Sequence, residues 1–289
     1  MAEFGDILVC PVCGGPLSRE GKSVRCPKGH SYDVAREGYV NLLSPKTARG
    51  IPGDSPEMVR ARRAFFGTGA YAPLEEALEA EVASAAKRLP RLAAGVRVLD
   101  AGCGEGRALR AAARVLGGLF GPERAAAFGF DVSKAALRMA ASAHPEGRYF
   151  AADTRGRLPV ADGSADILLD LFAPRNMPEF ARVLAPDGAM VVVVPKEDHL
   201  AGLRAAVPLI GIHAGKERTL LEQTAPFFGL EVRRDVEFPL ELTPESAAAL
   251  VAMTPSARHL SPADFSELER KGPPEVRASL RLFVFRRRP

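Results

Sequence analysis

Short apolar runs alternate with helical segments from Arg97 onward, and this alternation restricts the fold more than any other feature of the chain. Strands are predicted in RVLDAG, AAAFGFDVS, RYFAADT, ADILLDLF and AMVVVVP, with helices that include MPEFARVLAPDG between them. The run AMVVVVP is apolar throughout, as expected of a strand buried on both faces. The pattern predicts an α/β fold in which right-handed crossovers build a parallel sheet between layers of helices. LEVRRDVEFPLELTP and SLRLFVFRR are predicted to close the sheet as a pair of strands, with helices inserted between them.

The segment LDAGCGEG connects the first of these strands to a helix, which is where ligands bind in such sheets. Gly102 and Gly104 let the backbone approach a ligand closely. Arg107 stands where a dinucleotide-binding fingerprint requires its third glycine, and no Lys-Ser/Thr pair follows as in a P-loop. The segment therefore favours a cofactor loop of another kind.

Acidic residues end the first three strands of the pattern. Asp100 precedes the first glycine of the loop by two positions. Asp131 ends the second strand, where a carboxylate can accept both hydroxyls of a ribose, and Asp153 ends the third, where an acid can hold the exocyclic amine of adenine. With the glycines, these acids resemble the class I S-adenosylmethionine-dependent methyltransferases, whose fold is Rossmann-like with a mostly parallel seven-stranded sheet. A Rossmann-like fold for another nucleotide, or an inactive domain, stays open.

Four metal-type ligands lie within the first 30 residues. The spacing is Cys10-x2-Cys13, then twelve residues, then Cys26-x3-His30, with Pro and Gly in the turns. Two short-spaced pairs of this kind build a tetrahedral zinc site, and four protein ligands leave no open position for catalysis. The sequence therefore predicts a structural Zn²⁺ in a small zinc-ribbon-like domain, because clustered cysteines of this kind are not a disulfide framework in a reducing compartment.

Length and composition agree with two units in one soluble chain. The 289 residues suffice for a large and a small domain, with 47% hydrophobic and 26% charged residues. No apolar run reaches the length of a membrane span and no signal peptide is visible, so a cytoplasmic location without membrane contact is expected. The net charge of +4 weakly favours an anionic partner. We predict a zinc-binding RNA-recognition domain over 1–45, a linker helix over 46–70 and a methyltransferase domain over 71–289.

Further segments narrow the resemblance to one family. SYDVAREGYVNLL, PGDSPEMVRARRAFFGTGAYAPL, FGFDVSK, RLPVADGSADILLDLFAP, EFARVLAPDGAMVVVVP and MTPSARH occur in this order. From about Cys10 to the end, the chain resembles the bacterial 23S ribosomal RNA guanine-N1 methyltransferases, which combine a zinc domain with a class I domain and include macrolide-resistance enzymes. The resemblance implies S-adenosylmethionine as cofactor and a hairpin of 23S rRNA as substrate. It implies that the zinc ligands are Cys10, Cys13, Cys26 and His30, and that the cofactor contacts include Tyr71, Gly104, Glu105 and His199.

The chemistry requires a proton acceptor, because guanine N1 carries a proton near neutral pH. Asp170 and His199 are the candidates, with Glu105 or a water as alternatives. The target base has to lie in a loop or be turned out of its stack. Basic residues that would meet phosphates lie in the zinc domain and the following helix, namely Arg19, Lys22, Arg25, Lys28, Arg60, Arg62 and Arg63.

Two other functions stay open. One is a small-molecule methyltransferase with an accessory zinc domain, and the other is a zinc-ribbon RNA-binding protein with an inactive methyltransferase domain. Which guanine is modified, and whether the chain forms a homodimer, does not follow from the sequence.

Overall fold

The computed structural model describes residues 7–43, 53–89, 95–209, 211, 215–271 and 275–288. The first part of the predicted linker, residues 46–52, lies outside the described residues. No helix in the described ranges is both long enough and apolar enough to cross a membrane.

The N-terminal region forms a small antiparallel sheet. Its three strands are β1 (Ser18–Glu20), β2 (Ser23–Arg25) and β3 (Ser31–Asp33), in the order β1-β2-β3. They are followed by a two-residue strand, β4 (Val40–Asn41), which belongs to a different sheet.

The remaining elements build the α/β unit that the alternation predicts. Two helices come first, α1 (Pro56–Gly67) and α2 (Ala72–Lys87). The strands are β5 (Val96–Ala101), β6 (Ala125–Asp131), β7 (Arg148–Ala151), β8 (Ala165–Leu171), β9 (Leu184–Pro195), β10 (Phe228–Leu240) and β11 (Val276–Arg287). The further helices are α3 (Arg107–Phe120), α4 (Lys134–Ala143), α5 (Met177–Val183), α6 (Ala201–Ala206), α7 (Lys216–Thr224), α8 (Pro244–Ala252) and α9 (Pro262–Lys271), with short 3₁₀ turns at Pro122–Arg124 and Pro255–His259.

One sheet of eight strands forms the centre of the molecule, in the order β10-β11-β9-β8-β5-β6-β7-β4. The pairs from β9 through β4 are parallel, and β11 runs antiparallel to both β9 and β10. Strands β5 to β11 are the predicted seven-stranded sheet. The eighth strand comes from the N-terminal region, since Val40 pairs with Phe150 and Asn41 with Ala151.

Local chemistry explains where helix α1 begins. Ser55 has extended backbone angles, its side chain accepts a hydrogen bond from the backbone N–H of Met58, and Pro56 occupies the first turn. Both features are typical of helix N-termini. The cap therefore fixes the start of a helix whose buried Phe65 belongs to the large apolar core and which packs mainly on helix α8.

The zinc-bearing region and the large sheet share one apolar core. Ile7, Leu8 and Leu17 belong to the same buried cluster as Phe150 and Leu158. Backbone hydrogen bonds cross the junction, from Val9 N to Pro159 O at 3.0 Å and from Ala161 N to Ile7 O at 2.8 Å. The predicted division of the chain near residue 45 stays a prediction about folding units, and these contacts connect its two sides.

Candidate metal centre and cofactor cleft

Four ligand atoms converge in the N-terminal region. Cys10, Cys13, Cys26 and His30 each offer one atom, all within 4.8 Å of one another. Tetrahedral zinc with bonds of about 2.3 Å to sulfur and 2.0–2.1 Å to nitrogen requires S···S near ~3.7 Å and S···N near ~3.6 Å. The structure has 3.6 Å between the sulfurs of Cys13 and Cys26, and 3.5 Å and 3.3 Å from His30 Nδ1 to the sulfurs of Cys10 and Cys26. The donor set therefore fits Zn²⁺, with His30 as a ligand through Nδ1.

Outer contacts favour the ligand form of Cys10. Its sulfur lies 3.2 Å from the hydroxyl of Tyr32. Burial acts to raise the pKa of Cys10, but hydrogen bonds from Tyr32 and from the turn at Val12 and Cys13 outweigh it and lower the pKa to about 6. A thiolate that accepts such bonds is the form that binds metal.

A cleft of about 740 Å³ opens at the carboxyl ends of the parallel strands. Its walls come from the loops after β5 to β8, from α1 and α2, and from the inserted helices near Met253. The structure brings the predicted cofactor residues together there, since the lining includes Tyr71, Asp100, Gly102, Gly104, Glu105, Asp131, Asp153 and His199. Residues from positions 71 to 199 thus surround one space large enough for a nucleoside cofactor.

The glycines of the loop are required by backbone angles and by space. Gly102 has φ +73°, and a Cβ at this position would stand 2.5 Å from the Cβ of Ala173. Gly104 has φ +54° and a Cβ there would meet the Arg62 guanidinium at 3.3 Å. Residues with a Cβ rarely adopt such φ angles, so both positions require glycine and leave the backbone of the loop open to a ligand.

Asp131 is held in place before any ligand arrives. Its Oδ2 accepts the N–H of Gly104 at 3.0 Å and its Oδ1 accepts the N–H of Ser133 at 2.8 Å. Burial raises the pKa of Asp131, and these two N–H groups oppose the shift. Each carboxylate oxygen has a second acceptor position, so both remain able to accept a hydroxyl.

Asp153 lies on the cleft wall beside Arg155. One oxygen accepts the backbone N–H of Arg155 at 3.0 Å and faces its guanidinium Nε at 3.2 Å. The other oxygen accepts no hydrogen bond from the described residues, and the predicted contact to an amine stays a prediction.

Asp100 and Asp170 are buried carboxyl groups whose ordinary ionisation is suppressed. Burial, then the charges of Asp170 and Asp131, raise the pKa of Asp100 to about 8. Burial raises the pKa of Asp170 to about 7, against the opposing charge of Arg175. Arg175 Nε lies 3.3 Å from Asp170 Oδ1, outside hydrogen-bond geometry, and Asp100 Oδ2 has no partner among the described residues. Asp100 lines the cleft, whereas Asp170 is fully buried and does not.

His199 is present as a neutral hydrogen-bond donor. Its Nδ1 accepts the backbone N–H of Ser279 at 3.1 Å. Burial and the charge of Arg204 lower the pKa of His199 to about 4, so the ring is neutral near pH 7. Because Nδ1 accepts, the single ring proton lies on Nε2. His199 can therefore donate into the cleft but has no free lone pair with which to take a proton.

Tyr71 and Glu105 combine packing with exposure to the cleft. The Tyr71 ring meets the rings of Phe65, Phe66 and Phe238 edge-on, each at 5.4 Å. Burial raises the pKa of Tyr71, so its hydroxyl stays protonated. Glu105 is also buried, which raises its pKa, while the charges of Arg62 and Arg107 act in the opposite direction.

The sequence did not predict several residues of the cleft. Arg62 forms an ion pair with Asp54 at 2.5 Å on the cleft wall, and its contact to phosphate stays a prediction. Arg107 forms an ion pair with Glu75 and donates to the Phe66 carbonyl at 2.9 Å. The contacts of Arg107 connect helices α1 and α2 to the end of the cofactor loop, whereas the Arg62–Asp54 pair joins α1 to the segment just before it. The sequence does not reveal these ion pairs, because Glu75 is remote in sequence from Arg107 and Asp54 lies in a loop before the helix of Arg62.

Comparisons with known proteins agree with both parts of the molecule. Residues 8–48 match the family described as "RlmA, N-terminal", a zinc ribbon, and residues 98–188 match a methyltransferase domain. A 23S rRNA (guanine(748)-N(1))-methyltransferase of Streptomyces fradiae is 40% identical over 284 residues, which cover 98% of this chain and 97% of that protein. Together with the strand order, the domain match confirms the predicted class I methyltransferase fold.

Two further relatives share the name "Putative 23S rRNA (guanine-N(1)-)-methyltransferase". One, from Micromonospora griseorubida, is 41% identical over 268 residues, or 89% of this chain and 88% of that protein. The other, YxjB of Bacillus subtilis (strain 168), is 36% identical over 200 residues, or 68% of this chain and 66% of that protein. The similarity therefore extends over both the zinc ribbon and the cofactor domain.

Proposed function

This chain belongs to the family of 23S rRNA (guanine-N1) methyltransferases, and from that premise we propose that it methylates N1 of a guanine in a hairpin of 23S rRNA. The cofactor is S-adenosylmethionine and the zinc is structural. The observation that carries the proposal is the cleft, where Asp100, Asp131 and Asp153 meet the glycine loop at the strand ends. A positively charged sulfonium, a ribose and an amine match these acids in turn.

Cofactor binding divides among residues that are already positioned. Asp131 accepts hydrogen bonds from the ribose hydroxyls, and Asp153 accepts one from the adenine amine. Tyr71 and the Nε2–H of His199 supply donors from the lining of the cleft. The bound cofactor supplies an activated methyl group on its sulfonium. The unpartnered Oδ2 of Asp100 provides negative charge beside the loop, where a cation lowers the cost of ionising this buried acid.

The proton on guanine N1 needs another acceptor than the two predicted candidates. His199 has no available lone pair, and Asp170 does not reach the cleft. Glu105 does line the cleft, and its raised pKa brings a carboxylate closer to the range useful for proton transfer. We assign the acceptor to Glu105 or to a water that it holds.

The zinc ribbon contributes structure and exposed cations. Metal binding in isolated zinc fingers contributes on the order of 10–16 kcal/mol to folding, and here the ribbon is also anchored by β4. Its exposed cations, Arg19, Lys22, Arg25 and Lys28, are the residues that we assign to RNA phosphates. Phosphate contacts of this kind position an RNA without reading its sequence.

The direct test is methyl transfer to RNA. The purified protein is incubated with tritiated S-adenosylmethionine and 23S rRNA from a strain that lacks the modification, with 16S rRNA as the matched control. Label in 23S rRNA alone supports the proposal. Label only in RNA-free small-molecule extracts would instead support a small-molecule methyltransferase, and absence of cofactor binding would support an inactive domain.

A further inference from the structure

Phe172 is an exposed aromatic residue at the cofactor cleft. Large apolar side chains that stay exposed in the described part of the chain are few, namely Val12, Leu119, Phe172 and Leu230. Phe172 alone among these four lines the cleft, with 46% of the residue exposed. A single exposed apolar residue is ordinary on a protein surface and proves nothing by itself. Its backbone and its neighbours carry the inference.

The backbone of Phe172 is strained. Its φ is +59°, in the left-handed region that bulky residues avoid. A conformation of this kind persists only where the surroundings impose it, and such positions concentrate at functional sites. A glycine at this position would adopt the same φ without strain, but the chain has a phenylalanine there.

The segment around Phe172 is fixed on both sides. The N–H of Phe172 donates to the carbonyl of Val193 at 3.2 Å. Ala173 packs against Gly102 so closely that a Cβ on the glycine would stand 2.5 Å from the Ala173 Cβ. Arg175 returns to the fully buried Asp170, with Nε 3.3 Å from Oδ1. The backbone of Phe172 is therefore held in place, one residue from the contact with the cofactor loop.

We infer that Phe172 is the platform on which the target guanine stacks during methyl transfer. The inference rests on the proposed function. A guanine that leaves its hairpin loses stacking on neighbouring bases, and an aromatic ring at the cleft replaces it. Contact between the Phe172 segment and Gly102 places this platform beside the loop that holds the cofactor. The strain is then explained, because it presents the ring to the cleft instead of burying it.

The test compares substitutions of Phe172 that keep an aromatic ring with substitutions that keep only an apolar side chain. Phe172→Ala and Phe172→Leu should lower kcat/KM for 23S rRNA about ten- to a hundred-fold, as deletions of base–aromatic stacking do. Phe172→Tyr should retain most of the activity. The dissociation constant of S-adenosylhomocysteine, measured by calorimetry, should not change in any of them. Leu119→Ala, which removes an exposed apolar side chain on helix α3, is the matched control and should behave as wild type.

A fourth substitution of Phe172 separates a loss of methyl transfer from a loss of stability. Phe172→Gly should keep or raise the melting temperature, since it releases the strain, while methyl transfer falls as in Phe172→Ala. Wild-type activity in Phe172→Ala or full rescue by Phe172→Leu would overturn the inference. Equal loss of S-adenosylhomocysteine binding would also overturn it, and would make Phe172 a cofactor contact. Absence of RNA methylation by the wild-type protein would refute the proposed function instead, so the two failures are distinguishable.

Discussion

Replacing Gly102 by alanine tests how closely the cofactor loop and the Phe172 segment are packed. Gly102 has φ +73°, and the new methyl group would stand 2.5 Å from the Cβ of Ala173. The left-handed angle costs a non-glycine residue roughly 1–2 kcal/mol, and overpacking of a tight contact typically costs about 1–3 kcal/mol. Gly102→Ala should therefore lower the free energy of unfolding by about 2–5 kcal/mol, a large part of the roughly 5–15 kcal/mol of a typical domain.

Urea denaturation measures this loss directly, and a second glycine supplies the control. Gly118 lies within helix α3, and a Cβ there would meet nothing within 4 Å. Gly118→Ala should stabilise the protein by about 0.5–1 kcal/mol, because alanine loses less backbone entropy in a helix. If Gly102→Ala proved as stable as Gly118→Ala, the close packing of the loop against Ala173 would be refuted, together with the fixed position of Phe172.

Three further outcomes are expected. Cys10→Ser, or zinc removal by a chelator, should lower the unfolding temperature of the whole chain in calorimetry, because Cys10 shares the apolar cluster of the large sheet; an unchanged methyltransferase transition would contradict this. His199→Leu should weaken S-adenosylmethionine binding by about 1 kcal/mol, since a donor is lost and the N–H of Ser279 is left unpaired, whereas His199→Gln should lose less in the same titration. The folded protein binds the carboxyl protons of Asp100 and Asp170 more tightly than the unfolded chain, with folded pKa values of about 8 and 7. The free energy of unfolding of the cofactor-free protein should therefore fall as pH rises from about 5 to 8, and Asp100→Asn should flatten that slope in urea titrations at several pH values.

The central sheet could be predicted because its strands are short, apolar and separated by helices. The position of the three acids followed from one rule, that parallel strands end at the same edge. Spacing alone identified the zinc ligands, since Cys-x2-Cys and Cys-x3-His leave few alternatives. The structure brings the three acids together in the lining of the cleft and the four zinc ligands together in the N-terminal region.

Short or interrupted patterns were harder to interpret. The predicted helix over MPEFARVLAPDG is wrong beyond Val183, because β9 begins at Leu184. The residue before Pro186 is disfavoured in a helix, and the apolar spacing of ARVLA does not reveal this. Strand β4 has only two residues, too few for any periodicity, and it follows a segment without regular spacing.

Side-chain partners remote in sequence could not be predicted either. The sequence makes His199 a candidate base, but the N–H of Ser279, eighty positions away, donates to its Nδ1. Asp170 lies one residue before the end of β8 and Asp131 at the end of β6, yet Asp170 is fully buried beside Arg175, whereas Asp131 lines the cleft. Which way a residue at a strand end turns depends on packing, and packing is a property of the folded chain.

The identity of the methylated nucleoside is the sharpest test of the proposed methyl transfer to N1 of a guanine in 23S rRNA. The protein is incubated with S-adenosylmethionine and unmodified 23S rRNA, the RNA is digested for mass spectrometry of nucleosides, and the position is mapped by primer extension. We predict 1-methylguanosine at one hairpin position, with reverse transcription stopping there because the methyl group blocks the pairing edge. A methyl group on another atom of guanine, on another base, or on no RNA at all would contradict it.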